Sequence, residues 1–347
     1  MATKRVGILT GGGDCPGLNQ AIRGCVLRGL DFGYEFVGIL EGWKGLIEGK
    51  TTPIGLSDVE GLMDKGGTIL GTSRTNPYKK ENGVDRCIEN MKNLHLDALV
   101  AMGGEDTLGV ANKLHKEKNI PVVGVPKTMD NDLSCTDYTF GFDTSVTIAV
   151  DACQRLIDTG RSHRRIMVME VMGRHAGWVA LYTGIASGAD WTLLPEMELT
   201  TEKIKEMCEH LKKVHKRKNY ALVVVSEGIK LPEMEVGKEE LDEFGHMILK
   251  KRGVGEKIAD IIEKETGIET RTAVIGHIQR GGAPTLFDRI LAIRVGVRAA
   301  ELVNEGKFGY MAALRGNDIV DVPLEDAVGK LKTVDSKWLN LLAYLQK

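Results

Sequence analysis

Short apolar runs, each followed by a loop and then a helical repeat, recur along the whole chain. Val6–Leu9 runs into the turn Gly11-Gly12-Gly13, after which Leu18, Ile22, Val26 and Leu30 return at helical spacing. Ala98–Met102 runs through Gly103-Gly104 into a helix expected from about Thr107 to Lys118. Val122–Val125, Ile166–Val171, Ala221–Val225 and Ala273–Ile275 are further strand candidates. Asp143–Thr159, Thr201–Val214, Gly255–Glu265 and Leu286–Glu305 are the matching helices. Runs that are apolar at every position suit parallel strands covered on both faces. The class is therefore α/β and doubly wound, in which ligands sit at the carboxyl ends of the strands. The 42 glycines cluster there, where backbone must approach a ligand or turn with positive φ.

At 347 residues the chain has room for two domains. The candidate motifs fall on both halves, so the cleft is expected between two Rossmann-like α/β domains. A formal net charge of −2 gives no reason to expect nucleic-acid or membrane binding. No apolar run is long enough to span a bilayer, and Met1 to Arg5 lacks a signal-peptide pattern. The six cysteines, at 15, 25, 87, 135, 153 and 208, have no metal or redox spacing. They read as reduced thiols, with the cytoplasm as the default compartment. Residues 230–252 are polar and mixed in charge, and read as a surface helix with loops. The stretch from Val322 to Lys347 has two helix-like patterns and shows no chemistry.

Four constellations carry chemistry. Gly11-Gly12-Gly13-Asp14-Cys15-Pro16-Gly17-Leu18-Asn19 joins a strand to a helix, where free backbone N–H groups bind phosphate. The alternative is a structural tight turn. Gly103-Gly104-Glu105-Asp106-Thr107 puts two carboxylates at a second such turn, which suits phosphate only if a cation such as Mg²⁺ is present. The same acids would also favour a helix N-terminus by charge alone. Pro126-Lys127-Thr128-Met129-Asp130-Asn131-Asp132 offers a cation, a hydroxyl and two carboxylates after an apolar strand. Phosphoryl transfer to an alcohol needs those parts, although a solvated polar turn has the same composition. Arg74, Arg165, Arg174, Arg271, His277 and Arg280 lie near strand ends or glycine turns, where arginine forks suit sugar phosphates.

With these residues in view, the chain closely resembles the phosphofructokinase family from Arg5 to about Glu305. The matching segments are 12–19, 66–74, 103–107, 126–132, 171–174 and 276–282, all in family order. The resemblance implies a donor-binding domain of residues 1–141 plus about 279–322. It implies a sugar-phosphate domain of about 142–278 plus 323–347. It marks Asp130 as the acceptor of the proton from the 1-hydroxyl of fructose 6-phosphate, with Thr128 and Asp132 flanking that hydroxyl and the metal. Glu105 matches the Mg²⁺ carboxylate, where many relatives carry Asp, and Gly13 matches the glycine at the donor phosphates. Met172, Gly173, Arg174 and Glu227 match sugar contacts, and His277 and Arg280 match 6-phosphate contacts. Arg165 and Arg271 match residues that reach the substrate from a neighbouring subunit, which implies a homodimer or homotetramer.

Two positions bear on the phosphoryl donor. ATP users of the family typically have glycine at the position of Asp106, and commonly at that of Lys127. Here Asp106 adds bulk and like charge against a triphosphate, while Lys127 offers a cation to a small, highly charged anion. The pair is similar to the pyrophosphate-dependent members, which implies reversible transfer in glycolysis and gluconeogenesis. The alternatives are an ATP-dependent 6-phosphofructokinase and a sugar-phosphate sensor without turnover. Sedoheptulose 7-phosphate is a possible second acceptor in the resemblance.

Overall fold

The computed structural model describes residues 4–231, Phe244 and residues 253–346; the expectation for 230–252 lies almost wholly outside them. Its strands are β1 (Arg5–Thr10), β2 (Glu35–Ile39), β3 (Thr51–Ile54), β4 (Ala98–Gly103), β5 (Val122–Pro126), β6 (Ile166–Val171), β7 (Trp191–Leu193), β8 (Ala221–Ser226), β9 (Thr270–Val274), β10 (Tyr310–Arg315) and β11 (Asp318–Pro323). Among the described residues they form two sheets. The first has seven strands in the order β11-β10-β5-β4-β1-β2-β3, and the second has four in the order β7-β8-β6-β9. The second sheet is parallel throughout. In the first, only the outer strands β3 and β11 run antiparallel to their neighbours. These are the two α/β domains expected.

Alternation along each strand divides the core. Val6 and Ile8 of β1 face one apolar cluster and Leu9 faces another across the sheet. In β6, Met167 and Met169 face the first of these clusters, while Ile166 and Val168 face a third. The first cluster is continuous from β1 through the helices Leu18–Asp31, Phe142–His163 and Leu286–Glu305 to the second sheet. Burial on both faces is why these strands read as unbroken apolar runs.

Three expectations shift. The strand placed at Ala273–Ile275 is Thr270–Val274, because an edge strand with an exposed Arg271 and Val274 shows no apolar run. The helix begun at Thr107 starts at Glu105, so both acids of that motif lie in its first turn. Of the residues expected in the second domain, the helix Leu324–Ala327 packs instead on the helix Glu105–Lys118 of the first. The chain reaches the second sheet's side from Lys332 onward, and in Ser336–Leu345 Trp338 meets Trp178 and Tyr182 edge-on or tilted.

Candidate active site

The carboxyl ends of β1, β4 and β5 and those of β6 and β8 open on one cavity of about 490 Å³. Its floor is tied together by backbone: Gly11 N donates to Met102 O at 2.9 Å and Lys127 N to Gly103 O at 2.9 Å. Gly12, Gly13, Glu105, Asp106, Lys127, Thr128, Asp130 and Asp132 line it from the first sheet. Met172, Arg174, Glu227, His277 and Arg280 line it from the second sheet and the turn after β9, with Arg74, His175 and Leu331 beside them.

The glycine turn after β1 is shaped by its neighbours. A Cβ at Gly13 would lie 2.6 Å from the Arg280 guanidinium, so any other residue here would push the arginine off its present position across the cleft. Arg280 Nη1 donates to Asp14 O at 3.0 Å, and Lys127 Nζ donates to Gly13 O. Lys127 is buried at 3% exposure. Burial pushes its ammonium below the usual lysine range, although Asp14 and Asp130 oppose the shift.

Past Lys127 the chain makes a tight turn. Asn131 adopts the left-handed conformation, φ 52°, between the two carboxylates. Thr128 Oγ1 donates to Asp132 Oδ1 at 3.0 Å and accepts from Asp130 N at 3.1 Å. Asp130 Oδ1 is buried with no hydrogen-bond partner. Burial, and then the charge of Asp130, raises Asp132 to about 6, against the Thr128 hydrogen bond and the Lys332 ammonium. The same two causes raise Glu227, whose Oε1 accepts from Gly173 N at 3.4 Å. Gly173 itself sits at φ 135°, a conformation that excludes a side chain.

Three contributors lie outside the expected set. Gln279, fully buried, accepts from Met172 N at 2.8 Å and donates to Ser145 O and Oγ, at 3.3 and 3.1 Å. It stands inside a motif read for its charges, which is why an uncharged glutamine escaped notice. His175 follows Arg174 directly. The third is the C-terminal stretch, read as having no chemistry. Gly329 N donates to Glu105 Oε1 at 3.1 Å, Leu331 lines the cavity, and Lys332 holds the 130–137 turn. The bonded partners lie 224 and 201 positions apart, and no spacing rule links them.

Arg165 and Arg271 do not reach the cavity. They lie at the amino ends of β6 and β9, roughly 20 Å of strand from Met172. Both pair there with Glu269, Arg165 at 2.8 Å.

Paired α/β sheets whose strand ends bring glycine turns, a buried lysine, clustered carboxylates and arginines to one cavity define a phosphoryl-transferring enzyme. The chain belongs to the phosphofructokinase family, whose pattern it matches over residues 5–303. It is 51% identical over 339 residues to a pyrophosphate--fructose 6-phosphate 1-phosphotransferase of Dictyoglomus thermophilum, covering 96% of each chain. It is 45% identical over 350 residues to an ATP-dependent 6-phosphofructokinase of Corynebacterium efficiens, covering 99% of each. A crystal structure of a pyrophosphate-dependent phosphofructokinase from Nitrosospira multiformis shares the fold, with a TM-score of 0.84 at 22% identity. The match covers 96% of this chain and 87% of that one.

Proposed function

We propose that this chain catalyses reversible phosphoryl transfer from pyrophosphate to the 1-hydroxyl of fructose 6-phosphate, giving fructose 1,6-bisphosphate and phosphate. The setting is glycolysis and gluconeogenesis in the cytoplasm; among the described residues no helix is long and apolar enough to cross a membrane. The observation that carries the donor assignment is that Asp106 and Lys127 line the same cavity. Asp106 brings negative charge to where a nucleotide would extend, and the buried Lys127 answers the charge of a compact diphosphate. The relative named for pyrophosphate is also more similar than the one named for ATP.

The first sheet's half, residues 1–141 with about 279–322 and the short helix 324–327, takes the donor. The second half takes the sugar phosphate. Asp130 accepts the proton of the 1-hydroxyl; its buried, unpartnered Oδ1 suits an incoming donor. Thr128 and Asp132 flank that hydroxyl and the metal, tied to each other through Thr128 Oγ1. Lys127 and Gly13 meet the donor phosphates, Lys127 stabilising charge on the departing one. Met172, Gly173, Arg174 and Glu227 hold the sugar, and His277 and Arg280 its 6-phosphate.

Mg²⁺ suits the donor chemistry of this cavity. Among the described residues no three ligating side chains form a cage. Mg²⁺ is ordinarily held by one or two carboxylates and substrate phosphates, so Glu105, oriented by Gly329 N, is its protein ligand. When bound, the ion neutralises charge on the transferred phosphoryl group.

Homo-oligomerisation completes the site. Arg165 and Arg271 act across a subunit contact from the amino ends of β6 and β9. The segment leading away from Arg271 exposes Val274, Ile278, Leu286, Phe287 and Ile290, an apolar surface that a second copy would cover.

The deciding assay supplies fructose 6-phosphate and Mg²⁺ with pyrophosphate or ATP as sole donor, for the unsubstituted chain and Asp106→Gly. Turnover with pyrophosphate alone, and ATP use gained in the variant, is the expected result. Turnover with ATP alone would overturn the donor assignment and leave the sugar chemistry standing.

A further inference from the structure

The C-terminal stretch 329–334 touches both halves of the site. Gly329 N meets Glu105, Leu331 bridges to Leu133, and Lys332 N donates to Asp132 O at 2.7 Å. On the other side, Lys332 O accepts from Trp178 Nε1 at 2.8 Å and Val334 N donates to Glu196 Oε1 at 2.9 Å. Trp178 opens the helix Trp178–Ser187 of the second half.

At the centre of this stretch, Lys332 Nζ donates to Asn131 Oδ1 at 3.0 Å, to Thr136 O at 2.9 Å and to Asp137 O at 2.9 Å. Three acceptors converge on its three N–H donors, so the ammonium is fully used and its position is fixed. Asn131 is the residue on which the turn depends. It is 3% exposed, it holds the left-handed conformation, and it stands directly between Asp130 and Asp132. Its Oδ1 is anchored from two sides, by Lys332 Nζ and by Thr139 N at 3.1 Å. A rotation of this turn would swing both neighbouring carboxylates together.

We propose that Lys332 is a positioning residue: by anchoring Asn131 and the carbonyls of Thr136 and Asp137, it sets the direction of Asp130 and Asp132. It touches no substrate. It also hangs the turn from the second half through Trp178, so the proton acceptor and the sugar-binding half share one support. This rests on the proposed phosphoryl-transfer reading, since Asp130 is the proton acceptor only there. Reacting groups held about 1 Å out of place can cost on the order of 100-fold in rate, so an anchor of this kind acts on turnover rather than on affinity.

The test compares Lys332→Met, Asn131→Gly and the double variant with the unsubstituted chain. Glycine at 131 tolerates the left-handed turn and removes the side chain whose oxygen Lys332 Nζ and Thr139 N share. The expected result is a fall in kcat of about tenfold or more for each single variant. KM for sugar phosphate and donor should stay within about threefold, and the double variant should be no slower than the slower single one. Wild-type kcat in folded Asn131→Gly, or losses that multiply in the double variant, would overturn the proposal. If Lys332→Met does not fold, Asn131→Gly decides alone. Rates are taken on whichever donor the unsubstituted chain uses. A second readout does not need turnover: amide exchange across residues 129–139 should quicken in Asn131→Gly while that of β1 and β4 stays unchanged. Unchanged exchange there would count against the anchor even if the activity reading failed.

Discussion

Asp130 and Asp132 stand two residues apart in one buried turn and meet different surroundings. Asp132 is held by the Thr128 hydroxyl, and burial with the charge of Asp130 lifts it to about 6. An unfolded aspartate titrates near 3.9. Between those values the folded chain holds a proton that the unfolded chain has released. The contribution of this group to stability therefore rises as pH falls from about 6 towards 4, and above 6 the charged carboxylate weighs against folding. Asp132→Asn keeps an oxygen for the Thr128 hydroxyl and removes the charge. It should raise Tm by a few degrees near neutral pH, with the gain vanishing below about pH 4, while turnover falls. Thermal melts of both chains across that range check this; a variant less stable at neutral pH would mean that the carboxylate contributes favourably there.

The strand ends do the assembling, and much of that was legible. β1, β4, β5, β6 and β8 are apolar at nearly every position because each is covered on both faces, and glycines mark where they end. β3, β7 and β11 are edge strands, short or half-covered, so their residues carry no comparable run. In the site, charged residues inside the glycine motifs were visible, while groups that act through uncharged or distant contacts were not. Gln279 is the clearest case. Its amide joins Met172 N, at the end of β6, to Ser145 near the start of the helix Phe142–His163. It lies on the same short 3₁₀ turn, Gly276–Arg280, as His277 and Arg280. Gln279→Met fills similar space and leaves Met172 N without its acceptor, a loss of roughly 1–3 kcal/mol. The sugar contacts should loosen, raising KM for fructose 6-phosphate about tenfold or more, with the donor KM little changed. Equal changes in both KM values would show that the amide supports the whole fold rather than the sugar-binding half.

Two sheets in one chain make a cavity lined by the proposed groups except Gly173, which lies behind Glu227, and Arg165 and Arg271, which lie at the far end of the second sheet. If a partner supplies that pair, each site takes its Asp130 from one chain and its two arginines from the other. Asp130→Ser breaks the site of its own chain and leaves its arginines sound. A chain carrying Arg165→Ala and Arg271→Ala does the reverse. Each homo-oligomer should be nearly inactive, because both of its sites lack something. In a random mixture about half of the pairs are hybrids, and each hybrid keeps one intact site of two. Recovered activity should therefore approach about a quarter of the unsubstituted rate in the mixture and about half in the isolated hybrids. The chains would be co-expressed with different tags, the hybrids isolated, and pyrophosphate-dependent turnover measured. An inactive hybrid, with exchange of chains demonstrated, would remove the arginines from the neighbour's site. Full activity of the arginine variant by itself would mean that one chain is sufficient for the sugar phosphate.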